Sequence, residues 1–252
     1  MEPNQQGTAS KVPEVTLVFW IIKIFATTLG ETGGDAVSMS MDLGYLLSTG
    51  IFATIFIAAV IAQVMARKFH PFLYWATIIA TTTVGTTLAD FADRSLGIGY
   101  AGGTSILFFL LILSLFVWYR TLGTVAVDTV QSPKSEIFYW VTIMFSQTLG
   151  TALGDWMADD AGFGYGGSAL IFGSLLAITA AAYFWTKISR TVLFWAAFIL
   201  TRPLGAVVGD FLDKPHDHGG LELSRYTASA VLLALIVVCI LIFPHRAAKR
   251  AH

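Results

Sequence analysis

The chain has almost no cysteine and little charge. A single cysteine, Cys239, in 252 residues excludes an internal disulfide and a thiolate cluster for a soft metal within one chain. Charged residues make up only 12%, against roughly a quarter in an average soluble domain. The formal net charge is −1, and no basic cluster occurs beyond the short stretch HRAAKR at 245–250. Without an electrostatic footprint, nucleic acid is excluded as a partner. The start, MEPNQQGTAS, lacks the basic and apolar regions of a cleavable signal, so insertion is expected to use the first span itself. What remains is apolar: 56% hydrophobic residues and a mean hydropathy of +0.72. The composition predicts an integral membrane protein whose main surroundings are the lipid bilayer.

Stretches near 20 apolar residues fall at 14–36, 43–66, 72–92, 101–119, 136–157, 163–186, 191–211 and 226–243. The connections after the even spans carry ARKFH at 66–70, Arg120 with Lys134, and Lys187 with Arg190, and the tail adds Arg246, Lys249 and Arg250. The opposite connections, including Asp93 with Arg94 and DKPHDHGGLELSR at 213–225, are balanced or acidic. By the positive-inside rule both termini face the cytoplasm, which predicts a multi-pass protein of a bacterial inner membrane. Trp20, Trp75, Trp140 and Trp195, with Trp118 and Trp185, fall toward the cytoplasmic ends and read as an interfacial aromatic belt.

The odd spans repeat one another. FWIIKIFATTLGETGGD (19–35), YWATIIATTTVGTTLAD (74–90), YWVTIMFSQTLGTALGD (139–155) and FWAAFILTRPLGAVVGD (194–210) each place a glycine ten residues and an aspartate fifteen residues after the tryptophan. The columns are Gly30, Gly85, Gly150, Gly205 and Asp35, Asp90, Asp155, Asp210. A weaker echo, LGYLLSTG, IGYAGGTS and FGYGGSAL, opens the first three even spans. Fixed self-similarity of this kind marks a repeat architecture. Because each unit holds two spans, all units lie the same way up. The fold expected is an all-α membrane protein of eight transmembrane helices, arranged as four parallel helical-hairpin repeats around a pseudo-symmetry axis along the membrane normal. The units are repeat 1 (14–70), repeat 2 (71–132), repeat 3 (133–189) and repeat 4 (190–244), between tails at 1–13 and 245–252. These motifs resemble a bacterial inner-membrane family of tandem two-helix repeats, described as a repeat of unknown function. The resemblance implies this fold and no activity.

Charge inside the spans falls only on odd helices: Lys23, Glu31, Asp35, Asp90, Asp155, Arg202 and Asp210. A carboxylate facing hydrocarbon is disfavoured by several kcal/mol, so odd helices are expected inside and even helices against lipid. Fifteen residues at ~1.5 Å each rise about 22 Å, which predicts one layer of four aspartates near the external ends. With Glu31, and with Lys23 and Arg202 as counter-charges, the layer would carry a net charge of −3. Such a site binds cations, binds protons, or alternates between them. Glu31, Asp35, Asp90, Asp155 and Asp210, with Gln147, are therefore the candidate ion-binding residues, the carboxylates as metal ligands and Arg202 as tethered counter-charge. Gly30, Gly85, Gly150 and Gly205 are candidate packing hinges, permitting close approach or local unwinding. Lys23 is expected to snorkel to the interface, and threonines such as Thr81 and Thr83 to bond their own helix.

The function expected is a transporter of a hard cation, such as Mn²⁺ or Mg²⁺ or a proton-coupled ion, with no cofactor beyond that bound cation. A homo-oligomer is compatible with the pattern. A non-transport binding, sensory or assembly protein with structural carboxylates is the alternative. An intramembrane aspartyl hydrolase fits less well, since a catalytic dyad gives no reason for four equivalent aspartates and the chain is not read as an enzyme.

Overall fold

The structure, a computed structural model, describes residues 10–248. The polar start at 1–9 and the basic Lys249 and Arg250 lie outside the described residues. Among those described, eight long helices form the molecule: α1 (Leu17–Asp35), α2 (Gly44–Met65), α3 (Pro71–Asp90), α4 (Tyr100–Leu122), α5 (Pro133–Asp155), α6 (Gly164–Trp185), α7 (Arg190–Asp213) and α8 (Arg225–Ile242). Six of them, α2, α3, α4, α6, α7 and α8, are long and apolar enough to cross a membrane. In α1 the charges of Lys23, Glu31 and Asp35, and in α5 those of Lys134, Glu136 and Asp155, dilute the apolar run.

Local chemistry sets the helix starts. Thr16 accepts a hydrogen bond from the Phe19 N–H, and Ser132 with Ser135 forms a reciprocal cap. Pro71 and Pro133 occupy first turns, where a missing N–H costs nothing. The Gly-Tyr echo has a backbone cause. Gly44, Gly99 and Gly164 sit at φ +72°, +77° and +64° just before or at the first turn of α2, α4 and α6, a conformation that side chains with a Cβ rarely adopt.

The odd helices form an inner ring: α1 packs on α3, α3 on α5, α5 on α7, and α7 returns to α1. Each even helix covers the odd helix of the following unit, α2 on α3, α4 on α5 and α6 on α7, and α8 closes the set on α1. The inner helices are buried along most of their length, whereas α2, α4, α6 and α8 expose side chains such as Leu46, Ile57, Phe109, Leu170 and Leu241. An apolar surface on that scale belongs in lipid rather than water.

The repeated glycines are the points where the ring closes. A Cβ on Gly30 would collide with Thr82, one on Gly150 with Arg202 and one on Gly205 with Thr27. At Gly85 it would lie 3.0 Å from backbone atoms of Gln147 and Thr148. Thr27, Thr82, Gln147 and Arg202 each stand seven residues after the repeat tryptophan, so every glycine meets the same position of its neighbour. The helices stay α-helical through these glycines, which corrects the expectation of local unwinding: close packing alone fills the role. The departure comes later, in a single π-helical turn directly after Asp35, Asp90 and Asp155 (Ala36–Ser40, Phe91–Ser95, Trp156–Asp160), while α7 runs on to Asp213. Pro203 does not end α7.

The tryptophan end of the ring is packed solid. Trp75, Trp118, Trp140 and Trp195 are buried in one apolar cluster with Phe19, Tyr74, Tyr139 and Phe198, and the Tyr74 and Tyr139 hydroxyls lie 2.6 Å apart. These four tryptophans are core, not interfacial belt; only Trp185 is strongly exposed. The segment before α1 crosses this end. Val12 enters the cluster, Pro13 pairs with Ala247, and Lys11 pairs with Glu136 at 2.7 Å and donates to the Gln63 and Val64 carbonyls.

Candidate functional site

Two charged layers cross the ring. The first is built on the column eleven residues after each tryptophan, which holds Glu31, Thr86, Thr151 and Ala206. Arg202, one turn before Ala206 on α7 and fully buried, reaches across the interior. Its two terminal nitrogens donate to Glu31 Oε2 at 3.0 Å, and Nη2 also donates to Thr86 Oγ1 at 2.6 Å and to Thr151 Oγ1. One guanidinium thus ties α7 to α1, α3 and α5. Of the carboxylates for which Arg202 could serve as counter-charge, it pairs with Glu31, and this pair fills the centre of the ring.

The second layer is the aspartate column, one turn further along. Asp35, Asp90, Asp155 and Asp210 are all buried, and none of the three that precede a π turn uses its side chain as a cap. Glu31, Asp155 and Asp210 bring one carboxylate oxygen each within 4.8 Å of one another, and Asp35, Asp210 and Asp213 do the same. An ion with oxygen ligands at ~2.0–2.6 Å holds opposed oxygens roughly 4–5 Å apart, so both groups have the dimension of a hard-cation site. Asp90 belongs to neither group. Asp35 Oδ1, Asp155 Oδ1 and Asp90 Oδ2 have no hydrogen-bond partner among the described residues, a costly state for buried carboxylate oxygens.

Three cations serve this layer, and hydropathy places none of them there. Arg94 lies 3.1 Å from Asp90 and 3.5 Å from Asp155, and donates to the Tyr100 and Tyr45 hydroxyls at 3.2 and 3.3 Å. Lys214 pairs with Asp35, with Asp210 at 3.0 Å and with Asp213 at 4.0 Å. Burial works against its charge, but Asp210, Asp35 and Asp213 outweigh that and hold its ammonium well above the ordinary lysine range. Arg225 bonds Asp213 at 2.7 Å and approaches Asp35 at 3.9 Å. The sequence reading left Arg94, Lys214 and Arg225 in loops, so the expected charge of −3 is corrected: these three offset most of the carboxylates. A signal was present. Arg94 and Lys214 each follow a repeat aspartate by four residues, in the second and fourth units, a spacing that places oppositely charged side chains together on a helix.

Beyond the aspartates the ring opens into a cavity of about 630 Å³. Its wall includes Met39, Arg94, Asp159 and Lys214, all nineteen residues after their tryptophans, with Tyr100, Tyr165 and His218. The aspartates themselves are buried beneath it rather than open to solvent.

Two expectations fail. Gln147 is eight residues before Asp155, ~12 Å along the helix, so it does not join the aspartate layer; it is buried, and neither of its side-chain polar atoms has a hydrogen-bond partner among the described residues. Lys23 does not snorkel. It is fully buried, its Nζ 4.2 Å from the centre of the Phe198 ring and without a hydrogen-bond partner, because the aromatic cluster and the segment at 10–14 cover the end toward which it was expected to reach. The threonines divide: Thr81, Thr83 and Thr87 bond their own helix, Thr82 reaches α1, and Thr86 bonds both its own helix and α1.

A family described as Repeat of Unknown Function (DUF347) matches four tandem stretches of this chain, residues 18–69, 73–126, 138–189 and 193–247. No curated protein and no solved structure matches it.

Proposed function

We propose that this chain, which belongs to the Repeat of Unknown Function family, is a multi-pass membrane transporter for a hard cation. In this reading all eight helices span a bacterial inner membrane as four parallel hairpins about an axis along its normal. The pairing of Pro13 with Ala247 supports both ends of the described chain lying on one side, and the positive-inside rule favours the cytoplasm for that side.

One observation carries the reading. Repeat-equivalent aspartates meet in a single buried layer with carboxylate oxygens that no hydrogen bond satisfies, directly beneath a cavity. A buried carboxylate without a partner is stabilised by a cation or a proton. Oxygen-only ligands favour Mg²⁺, Mn²⁺, Ca²⁺, Na⁺ or H⁺ over soft metals. On the other side of the layer, the Arg202 bridge, Lys23 against Phe198 and the aromatic cluster close the axis. A path open from one side only fits a carrier with distinct states better than a static pore, and four equivalent aspartates fit ion binding better than the dyad of a hydrolase.

The test is calorimetry of the purified protein with Mg²⁺, Mn²⁺, Ca²⁺ and Na⁺, beside Asp35→Asn/Asp155→Asn. Saturable binding that the double variant loses supports the reading. A folded wild type that binds none of the four ions removes the metal reading and leaves the carboxylates as proton carriers or structural groups. The assembly alternative draws on the ion pairs that Asp90 and Asp210 already make; under it, aspartate substitutions would alter thermal stability and not ion dependence.

A further inference from the structure

The two ion-paired halves of the aspartate layer are not equivalent. Arg94 and Lys214 occupy the same place in the second and fourth units, 120 residues apart, and each bridges two repeat aspartates. Arg94 is also held by two tyrosine hydroxyls, and its planar fork keeps several donors engaged at once. The Lys214 ammonium is held by carboxylates alone. It is a compact charge on a flexible stem, and it lines the cavity beyond the layer.

We infer that the Lys214 ammonium occupies the seat of the transported cation, a divalent ion bound by Asp35, Asp210 and Asp213, and swings into the adjoining cavity when that ion arrives. This deepens the proposed function and rests on it. The three carboxylates come within 4.8 Å of one another, and Lys214 pairs with all three. An ammonium in that position offsets part of the carboxylate charge, as a bound cation would, so the seat holds a positive charge in both states. Asp35 Oδ1 and Asp213 Oδ1 make no hydrogen bond among the described residues. The seat therefore offers acceptors that three ammonium hydrogens do not satisfy and that a six-coordinate cation would use.

The tethered charge also has a kinetic use. An emptied site holding three bare buried carboxylates would be strained by mutual repulsion and desolvation, and a carrier in that condition would stay loaded. Return of Lys214 to its seat relieves part of that repulsion without a second ion. Arg225, 2.7 Å from Asp213, stays at the rim and keeps that carboxylate oriented while Lys214 moves.

Two measurements test this. In calorimetry with Mn²⁺ and Mg²⁺, Lys214→Gln is expected to bind at least tenfold tighter than wild type, and Arg94→Gln to gain less. Equal gains in both variants would mean general electrostatics rather than occupancy of one seat, and would overturn the inference. Binding by wild type with no gain in Lys214→Gln overturns the seat and leaves the cation reading standing. Absence of binding in both overturns the two together, whereas binding confined to Lys214→Gln upholds the seat. The second measurement uses the native chain and decides the matter even where Lys214→Gln does not fold. Saturating Mn²⁺ is expected to raise modification of Lys214 by a small amine-acylating reagent, read by mass spectrometry, at least threefold. Unchanged or reduced labelling with ion present would overturn the displacement.

Discussion

The two charged layers lie about one helical turn apart and differ in kind. Around Arg202 both terminal nitrogens are engaged: three helices supply acceptors to one guanidinium, of which only Nε lacks a hydrogen-bond partner among the described residues, and the fourth position of that column is Ala206, which leaves room for it. Around the aspartates the accounts stay open. Among the described residues five oxygens of the repeat aspartates lack hydrogen-bond partners, the neighbouring cations come from the ends of the helices, and a cavity adjoins them. A satisfied buried ion pair fixes the geometry of a bundle, whereas an unsatisfied one stores the capacity to bind. Burial and charge alone would rank the two layers alike, and only their hydrogen bonds separate structure from function.

The sharpest way to break that distinction is to remove the guanidinium. Arg202→Met leaves Glu31 buried and uncompensated, and breaking a buried pair in this way costs about 3–5 kcal/mol. The expected result is a loss of folded protein or a large fall in thermal midpoint in detergent. Glu31→Met/Arg202→Met removes both charges and is expected to recover much of that loss. If Arg202→Met folds as well as wild type, the first layer is not structural and the comparison collapses.

Next in size come the glycine contacts. Gly205→Val drives a side chain into Thr27 of α1, and overpacking of this kind costs typically about 1–3 kcal/mol. Gly50→Val, on the exposed side of α2 with nothing within 4 Å of its Cβ, is expected to shift the thermal midpoint little. Equal effects at the two sites would mean that the inner ring is looser than its contacts indicate.

Much of this was legible in the sequence, and the misses have physical reasons. Self-similarity exposes the repeats and the two columns, since a residue needed at every ring contact must recur in frame. Segregation of charge correctly assigns the odd helices to the interior. The rule that a buried arginine needs a partner gives Arg202 a carboxylate, either Glu31 or an aspartate, and the structure selects Glu31. Hydropathy misplaces Arg94 and Lys214, because it ends a span at the first polar cluster while the helix continues through a further turn in which an i, i+4 pair folds back on the aspartate. Lys23 is misread for the complementary reason. Snorkelling needs an open end, and no property local to Lys23 reveals that Val12 and a cluster of aromatic side chains cover it.

The aspartate layer is expected to answer differently from the Arg202 layer. Asp155→Asn keeps the shape of the side chain and leaves Arg94 its contacts with Asp90 and two tyrosines. The folded protein is expected to persist with a thermal midpoint near that of wild type. Divalent-ion affinity, measured by calorimetry, is expected to fall about tenfold, equivalent to ~1.4 kcal/mol. A large loss of stability with unchanged affinity would place Asp155 with the structural carboxylates.

The smallest effect concerns pH. In the folded chain Lys214 is held well above the ordinary lysine value of about 10.4 by Asp210, Asp35 and Asp213, against the opposing effect of burial. A group whose folded value is raised contributes stability that is fully present below the unfolded value and is lost as pH rises through the folded one. The difference in thermal midpoint between wild type and Lys214→Met is therefore expected to stay flat from about pH 7 to 9.5 and to shrink only above about 10.5. Saturating Mn²⁺ should reduce that difference across the flat region, because the ion and the ammonium stabilise the same carboxylates in turn. A difference that declines already near pH 8 would mean that the carboxylates do not hold the lysine charged. A difference that Mn²⁺ enlarges would mean that ion and ammonium occupy separate places, and the two halves of the aspartate layer would then be alike.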